Sequence, residues 1–575
     1  MLITSEPASA SISSRPVCPR GERGCQWAFA AAFFCLALFF AFRGRVDSDE
    51  PQHLHVVWSR AQGLVQYRDF FDNHAPLFHM LFSPAVRVLG DRADLLILMR
   101  LPMIALMLAT LACVYWIGRR LVSQRVGLWS AAIAGLFPVF LEVSCQFRSD
   151  VLWTTFWLAA LAVLLHDTPN ARRSFLAGLC LGATLAVSLK TSYLLAALVG
   201  AAAPVAVLAW RRGAVRGRWF LVNGGSLAAG LVVAMGAMVA VIWRQGMLQG
   251  FYNCAIAHNM NLGRGMPLWR LATALGMLLI TALAAPSEWR RSPGQGAYRR
   301  VFLVLLGGTL LAALWLWPVQ TAQDFLPIFP VLAVVLANLL LQGLAPVPPG
   351  RRWQLAASAA AIEVILLVIS AIWGADNVAK QLSAWRDVLR LTDPNQTVMD
   401  SKGELIFRRR GCWPVMETIT AAHFKQGLLV DDIAQQLIEH QTCVASARSR
   451  ANPLFPPGAT RFMQENYLCV GSLCVAGKFL SGPQSTEAAS TATTTTAEPS
   501  STDGVISFDV RLPARYAIIT PEGPAGGFLD GHRYDGPVQL SCGPHEYRPA
   551  ASEGRLALAW AQAVERGFSP QWTSK

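Results

Sequence analysis

Three carboxylates within four residues, Asp47, Asp49 and Glu50, follow directly on an apolar run, in the stretch Asp47-Ser48-Asp49-Glu50-Pro51-Gln52-His53-Leu54-His55. A carboxylate in hydrogen-bond reach of a hydroxyl can take its proton as that oxygen attacks a carbon, while nearby cations hold the charge on a departing phosphate. One acid and a few bases therefore suffice to transfer a sugar from a phosphate-linked donor. A plainer role is open to the same acids. Leu54, Val57, Trp58 and Ala61 fall at i, i+3, i+4 and i+7, so a helix follows, and Asp49 or Glu50 would favour its N-terminus. A cap needs a single acid, and the loop offers three.

Four of the ten histidines, His53, His55, His74 and His79, lie close behind. Imidazole and carboxylate suit zinc or manganese, which makes Asp49, His53 and His55 candidate ligands of a divalent metal, although their spacing matches no fixed metal motif. No other cofactor is indicated. Further on, Arg148-Ser149-Asp150 sets a cation beside an acid, and the two could simply pair. Lys190 and Arg100 stand near the ends of apolar runs, where reaching toward lipid headgroups is the alternative to a site role. His258 is open between an interface residue and an acceptor contact.

Positioning these groups requires a membrane scaffold. The 575 residues are 53% hydrophobic and only 15% charged, against about a quarter charged in soluble proteins. Eleven apolar runs, at 26–42, 95–117, 126–141, 151–165, 174–189, 192–210, 219–243, 268–285, 301–317, 325–341 and 354–373, approach the roughly 20 residues needed to cross a bilayer. Lys and Arg collect on the cytoplasmic side of membranes. With the N-terminus inside, the inner segments hold Arg119, Arg120, Arg125, Arg172, Arg173, Arg211, Arg212, Arg216, Arg218, Arg290, Arg291, Arg299, Arg300, Arg351 and Arg352, and the short outer loops only Arg148, Lys190, Arg244 and Arg264. The +14 net charge is thus written as topology rather than as a nucleic-acid patch, and no nucleic-acid partner is expected.

The expected architecture is a mainly α polytopic membrane protein. Residues 1–25 form a cytoplasmic leader, and 26–374 the membrane domain with an outer, periplasmic loop at 43–94. Everything after residue 374 is also outside. There, 375–481 reads as a small α/β domain with a helix carrying Ile433, Leu437 and Ile438 after Asp431, and 482–503 as a Ser/Thr-rich linker. Residues 504–575 read as a small β module, with a hairpin turn at Asp530-Gly531 and a closing helix from about Gly554. Cys412 with Cys443, or Cys469 with Cys474, could form disulfides in an oxidising compartment.

The first loop continues Gly63-Leu64-Val65-Gln66-Tyr67-Arg68-Asp69-Phe70-Phe71-Asp72-Asn73-His74-Ala75-Pro76-Leu77-Phe78. An Asp-Glu pair after the first span, a Gly, Tyr-x-Asp and a polar stretch ending in Pro-Leu resemble the GT-C superfamily of membrane glycosyltransferases. Its members include the dolichyl-phosphate-mannose protein mannosyltransferases and the aminoarabinose transferases of lipid A. The resemblance runs over about 26–341 and is sharpest in this loop. It implies a polyprenyl-phosphate sugar donor, a lipid, glycan or protein acceptor, and transfer of a hexosyl or pentosyl group with inversion at a bacterial inner membrane. Asp49 matches the family's catalytic base, with Glu50 beside it, and Asp150 matches a second acid. Lys190 resembles the family's Lys near the donor phosphate and Arg100 another recurrent basic position, which with Arg148 makes three candidate phosphate-binding cations, and Gln323-Asp324-Phe325-Leu326-Pro327 is similar to a late-span motif. His53, Tyr67, Asp69 and His258 become candidate substrate contacts. Where the aminoarabinose transferases carry Lys before the loop's Pro, this chain has His74-Ala75-Pro76, so a phosphate contact there needs a protonated imidazole. Two other classes compete: a transporter or flippase of lipid-linked sugars, and a scaffold for envelope assembly. Against the transporter stand the position of the charges at the outer edge and the lack of an internal repeat.

Overall fold

An apolar run inside a bilayer can satisfy its backbone only through its own hydrogen bonds, and all eleven runs fold as helix. In the computed structural model the described residues are all but 1–19, 168, 261–266, 292–294, 319, 375, 482–503, 551–554 and 573–575. The expected linker and most of the expected leader lie outside them. Helix α1 spans Arg20–Arg43, α2 Asp49–Ala61, α3 Leu77–Leu89, α4 Leu95–Leu121, α5 Gln124–Leu136, α6 Pro138–Ser144, α7 Ser149–Leu165, α8 Ala171–Val187, α9 Thr191–Arg211 and α10 Gly217–Arg244. Four further long helices follow at Leu268–Arg291, Gln295–Trp315, Phe329–Gly343 and Pro349–Gly374. Among the described residues, five helices are long and apolar enough to cross a membrane, or six if α5 and α6, bent by 72°, count as one broken span. The bend falls at Pro138, which has no N–H to continue the ladder of α5.

Small residues let backbones meet. A Cβ on Gly178 of α8 would lie 2.1 Å from the Leu227 carbonyl oxygen, and one on Gly230 of α10 would lie 2.1 Å from that of Phe175. Gly182, one turn on from Gly178, extends the same close stripe.

Beyond the helices, the described residues form two sheets. Their strands are β1 Thr397–Met399, β2 Arg409–Arg410, β3 Val444–Ser446, β4 Tyr467–Val470, β5 Leu473–Ser481, β6 Ile506–Val510, β7 Ala514–Thr520, β8 Gly523–Pro524, β9 Gly527–Leu529, β10 His532–Tyr534, β11 Val538–Leu540, β12 Gly543–Pro549 and β13 Leu556–Trp560. One sheet runs β11-β7-β13-β5-β3-β1-β2 with β4 on β5 and β8 on β7, and the other β10-β9-β12-β6. The larger sheet joins strands of the expected α/β domain to strands of the expected β module, while the four-stranded sheet belongs to the module alone. β13, from the far side of the linker, pairs with β5 on one side and β7 on the other. Val444, Val475, Ile518 and Leu558 share one core. Pairing removes the open edge that the long β5 would otherwise present.

The helix expected from Gly554 is corrected as well. Leu556–Trp560 is strand, buried at every position because the sheet is covered on both faces, and only Ala561–Glu565 is helical. The hairpin at Asp530-Gly531 is present, with φ of 48° and 79°. The helix Ile433–Glu439 forms, but Asp432 precedes it and no side chain caps it. Cys469 is bonded to Cys474, whereas Cys412 and Cys443 are free thiols.

This C-terminal domain rests on the first loop. His55 Nδ1 donates to the Ile406 carbonyl at 2.7 Å, and Asn377 Nδ2 donates to that of Val46 at 3.0 Å. Arg408 reaches Asp91 at 3.4 Å, while Asp91 also accepts from Trp58 Nε1 at 2.7 Å.

Candidate active site

Arg148 stands just before α7 on extended backbone, with its guanidinium 4% exposed. It meets three carboxylates: Asp47 through Nη1, Asp49 Oδ2 through Nη2 at 2.7 Å, and Asp150 Oδ2 through Nε at 3.1 Å. Asp49 opens α2 and is a quarter exposed, and its second oxygen is held by the Nζ of Lys402 from the C-terminal domain. Burial opposes ionisation of Asp49, but the Arg148 and Lys402 charges override it and hold the carboxyl well below the usual carboxylate range. Its backbone N–H donates to Asp47 at 2.9 Å, which binds the two acids into one turn.

Lys402 was missed in the sequence. It lies in the loop after β1, which is parallel to both neighbours β2 and β3, and ligand sites gather beyond the carboxyl ends of parallel strands. Asp400 shapes this loop by accepting from the N–H groups of Gly403 and Leu405 at 2.8 and 2.9 Å and from Arg410 Nε at 3.0 Å. The signal available was the charged string Asp400-Ser401-Lys402-Gly403-Glu404 directly after an apolar strand.

Glu50 and Arg100 sit elsewhere. Both are fully buried and face each other, with Arg100 Nε 2.7 Å from Glu50 Oε1 and Nη2 on Oε2. Glu50 also accepts from the N–H groups of Phe147 at 2.8 Å and Asp47 at 3.1 Å. Arg100 donates to the carbonyls of Ala41, Gly44 and Arg45 at 3.1, 3.0 and 3.2 Å. The pair ties the end of α1, the start of α2, α4 and the approach to α7 together, so the Arg100 donors are taken and face no open cleft.

Lys190, just before α9, lies 2.5 Å from Asp324, and the charges of Asp150 and Arg148 also act on it. Asp324 is buried and fixed by the Thr321 N–H at 2.9 Å and hydroxyl at 2.8 Å. Lys190 and Asp150 thus share one neighbourhood with Asp49, through Arg148.

The histidines divide. His74 Nδ1 is 2.8 Å from Asp72; burial lowers its pKa, but the Asp72 charge outweighs that and raises it, favouring the imidazolium. His53 lies 3.0 Å from His79 and is pushed far toward its neutral form by burial. Its ring is 4.6 Å from that of His74. His55 turns the other way, to Ile406. Asp49, His53 and His55 therefore do not converge, and among the described residues no group of three or more His, Cys, Asp or Glu side chains is arranged to hold a metal ion.

Tyr67, at φ 66° and buried, donates to the His74 carbonyl at 2.5 Å. Asp69 accepts from the Val65 N–H at 2.8 Å and pairs with Arg68. These two residues shape the loop that presents His74. His258 lies on the same side as Asn73. It is 3.4 Å from Glu417 of the C-terminal domain, to which Asn73 Nδ2 donates at 2.6 Å.

Residues 73–243 match the family model described as dolichyl-phosphate-mannose-protein mannosyltransferase. By sequence, no curated protein matches. ArnT from Cupriavidus metallidurans bound to undecaprenyl phosphate superposes with a TM-score of 0.53 at 13% identity, covering 79% of this chain and 98% of that one. Its apo state gives 0.51 at 12% identity over the same shares, 79% and 98%. The apo oligosaccharyltransferase of Archaeoglobus fulgidus gives 0.41 at 12% identity, covering 86% of this chain and 74% of that one.

Proposed function

From the premise of a GT-C membrane fold, carried by the superposition on ArnT and by the mannosyltransferase family model, we propose that this protein is an integral membrane glycosyltransferase. It takes a hexosyl or pentosyl group from a polyprenyl-phosphate donor and passes it to a lipid, glycan or protein acceptor. The reaction runs at the periplasmic face of a bacterial inner membrane, with the N-terminus in the cytoplasm, as the distribution of Arg and Lys supports. The lipid-phosphate donor is supported by the match to a family described by its dolichyl-phosphate-mannose substrate and by ArnT, which binds undecaprenyl phosphate.

The acceptor hydroxyl attacks the anomeric carbon from the face opposite the phosphate, and the bond from that carbon to the phosphate oxygen breaks, inverting the centre. Asp49 orients the hydroxyl and takes its proton. A carboxylate held far down its titration range is a weak base, so Asp49 gains strength only when the cations beside it engage the phosphate. Arg148, Lys190 and the His74 imidazolium surround the leaving group. Asp150 keeps Arg148 in place, and Glu50 with Arg100 positions the turn that carries Asp49. His258, Glu417 and Asn73 line the acceptor side, and His53 backs the site behind Asp49.

The observation carrying this reading is Asp49, ionised and a quarter exposed, at a rim shared by the first loop, the α7 approach and the C-terminal domain. Asp49→Asn keeps the shape and removes the proton acceptor. It should abolish formation of the sugar-bearing envelope product, measured by mass spectrometry in cells lacking the wild-type protein, without lowering membrane abundance. Full product formation by that variant would refute the assignment.

A further inference from the structure

The rim holds three carboxylates, Asp47, Asp49 and Asp150, against two cations, Arg148 and Lys402, while Lys190 is matched by Asp324. A phosphate entering such a place needs a cation that can leave its present partner. Arg148 lends its positive field to the phosphate from where it stands but cannot leave its partners: all three nitrogens of its planar fork already bind acids, and it is almost wholly buried. Lys402 is different. Its side chain is 15% exposed, its one ion pair among the described residues is with Asp49, and an ammonium on a four-carbon stem can swing while its backbone stays still.

That backbone is pinned. Trp385 Nε1 donates to the Glu404 carbonyl at 2.8 Å and His55 to that of Ile406, while Asp400 gathers the N–H groups of Gly403 and Leu405. Gly403 sits at φ +95°, and a Cβ there would lie 2.7 Å from the His55 Cβ. The loop is therefore pressed onto α2 at a fixed distance from Asp49.

The geometry points to Lys402 as the cation that grips the departing phosphate, so that the C-terminal domain completes the active site and donor binding frees Asp49 to act. The inference rests on the glycosyltransferase reading above. As the acceptor oxygen bonds to the anomeric carbon, the electron pair of the breaking bond passes to the phosphate oxygen, whose group gains one negative charge. Lys402 stays protonated and meets that charge, and the acceptor's proton goes to the Asp49 oxygen that Lys402 has left.

The test uses the purified full chain and undecaprenyl phosphate as probe, with affinity read per folded molecule. In parallel, each variant is asked to restore the envelope product in cells lacking the protein. Lys402→Ala should weaken undecaprenyl phosphate binding at least tenfold and reduce product at least a hundredfold, on the order of losing one charged transition-state contact. Lys402→Arg should restore part of both. Unchanged affinity in Lys402→Ala, with only a lower melting temperature, would make the residue structural and overturn the inference. An inactive Asp49→Asn beside a fully active Lys402→Ala sinks this inference alone. A fully active Asp49→Asn sinks the transfer reading, and the binding comparison then still decides whether Lys402 is a phosphate ligand.

Discussion

At the scale of single residues, the acids of the first loop separate by what surrounds them. Asp49 and Glu50 are adjacent in sequence, yet one is clasped at an open rim and the other is sealed against Arg100. A buried ion pair that has lost one member leaves an uncompensated charge, at a cost of about 3–5 kcal/mol. Arg100→Met should therefore lower thermal stability in detergent by that order, and adding Glu50→Gln should recover part of it. Arg100→Met with unaltered melting would mean that the pair does not hold the start of α2. Because Asp47 N–H and Phe147 N–H also rest on Glu50, the loss should reach activity through position rather than through phosphate contact.

At the scale of elements, the fit between α2 and the loop after β1 is set by backbone as much as by charge. Gly403 combines a left-handed φ with a Cβ position already filled by His55, and each of these alone disfavours a side chain. Gly403→Ala should cost more than about 1 kcal/mol in domain contact and draw Lys402 away from Asp49. Limited proteolysis should then cut the variant faster at the domain junction than the parent, with product formation falling alongside. Equal cleavage and equal activity would show the contact to be slack. The charged string that forms this loop was visible in the sequence. Its role was not, because its partner Asp49 lies 353 positions away.

At the scale of the whole molecule, the chain returns to itself across its length. β13 sits between β5 and β7, so the last segment belongs to the same core as the part before the linker. Truncation after Ser481 should therefore not leave an intact domain lacking a module. It should strip β5 of β13, leave its Gly477–Ser481 edge unpaired, and yield a protein that aggregates or is degraded. A truncated chain of normal abundance and melting temperature would show that the two parts fold independently. Since that domain also carries Lys402, the same truncation should remove activity along with stability.

Hydropathy determined, by itself, that this is a helical membrane protein, since the bilayer admits few other solutions to a run of apolar residues. The pairing of Arg148 with Asp150 was legible too, because the two lie close along the chain. Tertiary structure alone decided that Arg100 is spent on Glu50, that His55 faces a different partner from His53, and that a lysine of the C-terminal domain reaches Asp49. These are contacts between side chains brought together by packing, and no local spacing encodes which charge a distant segment will meet.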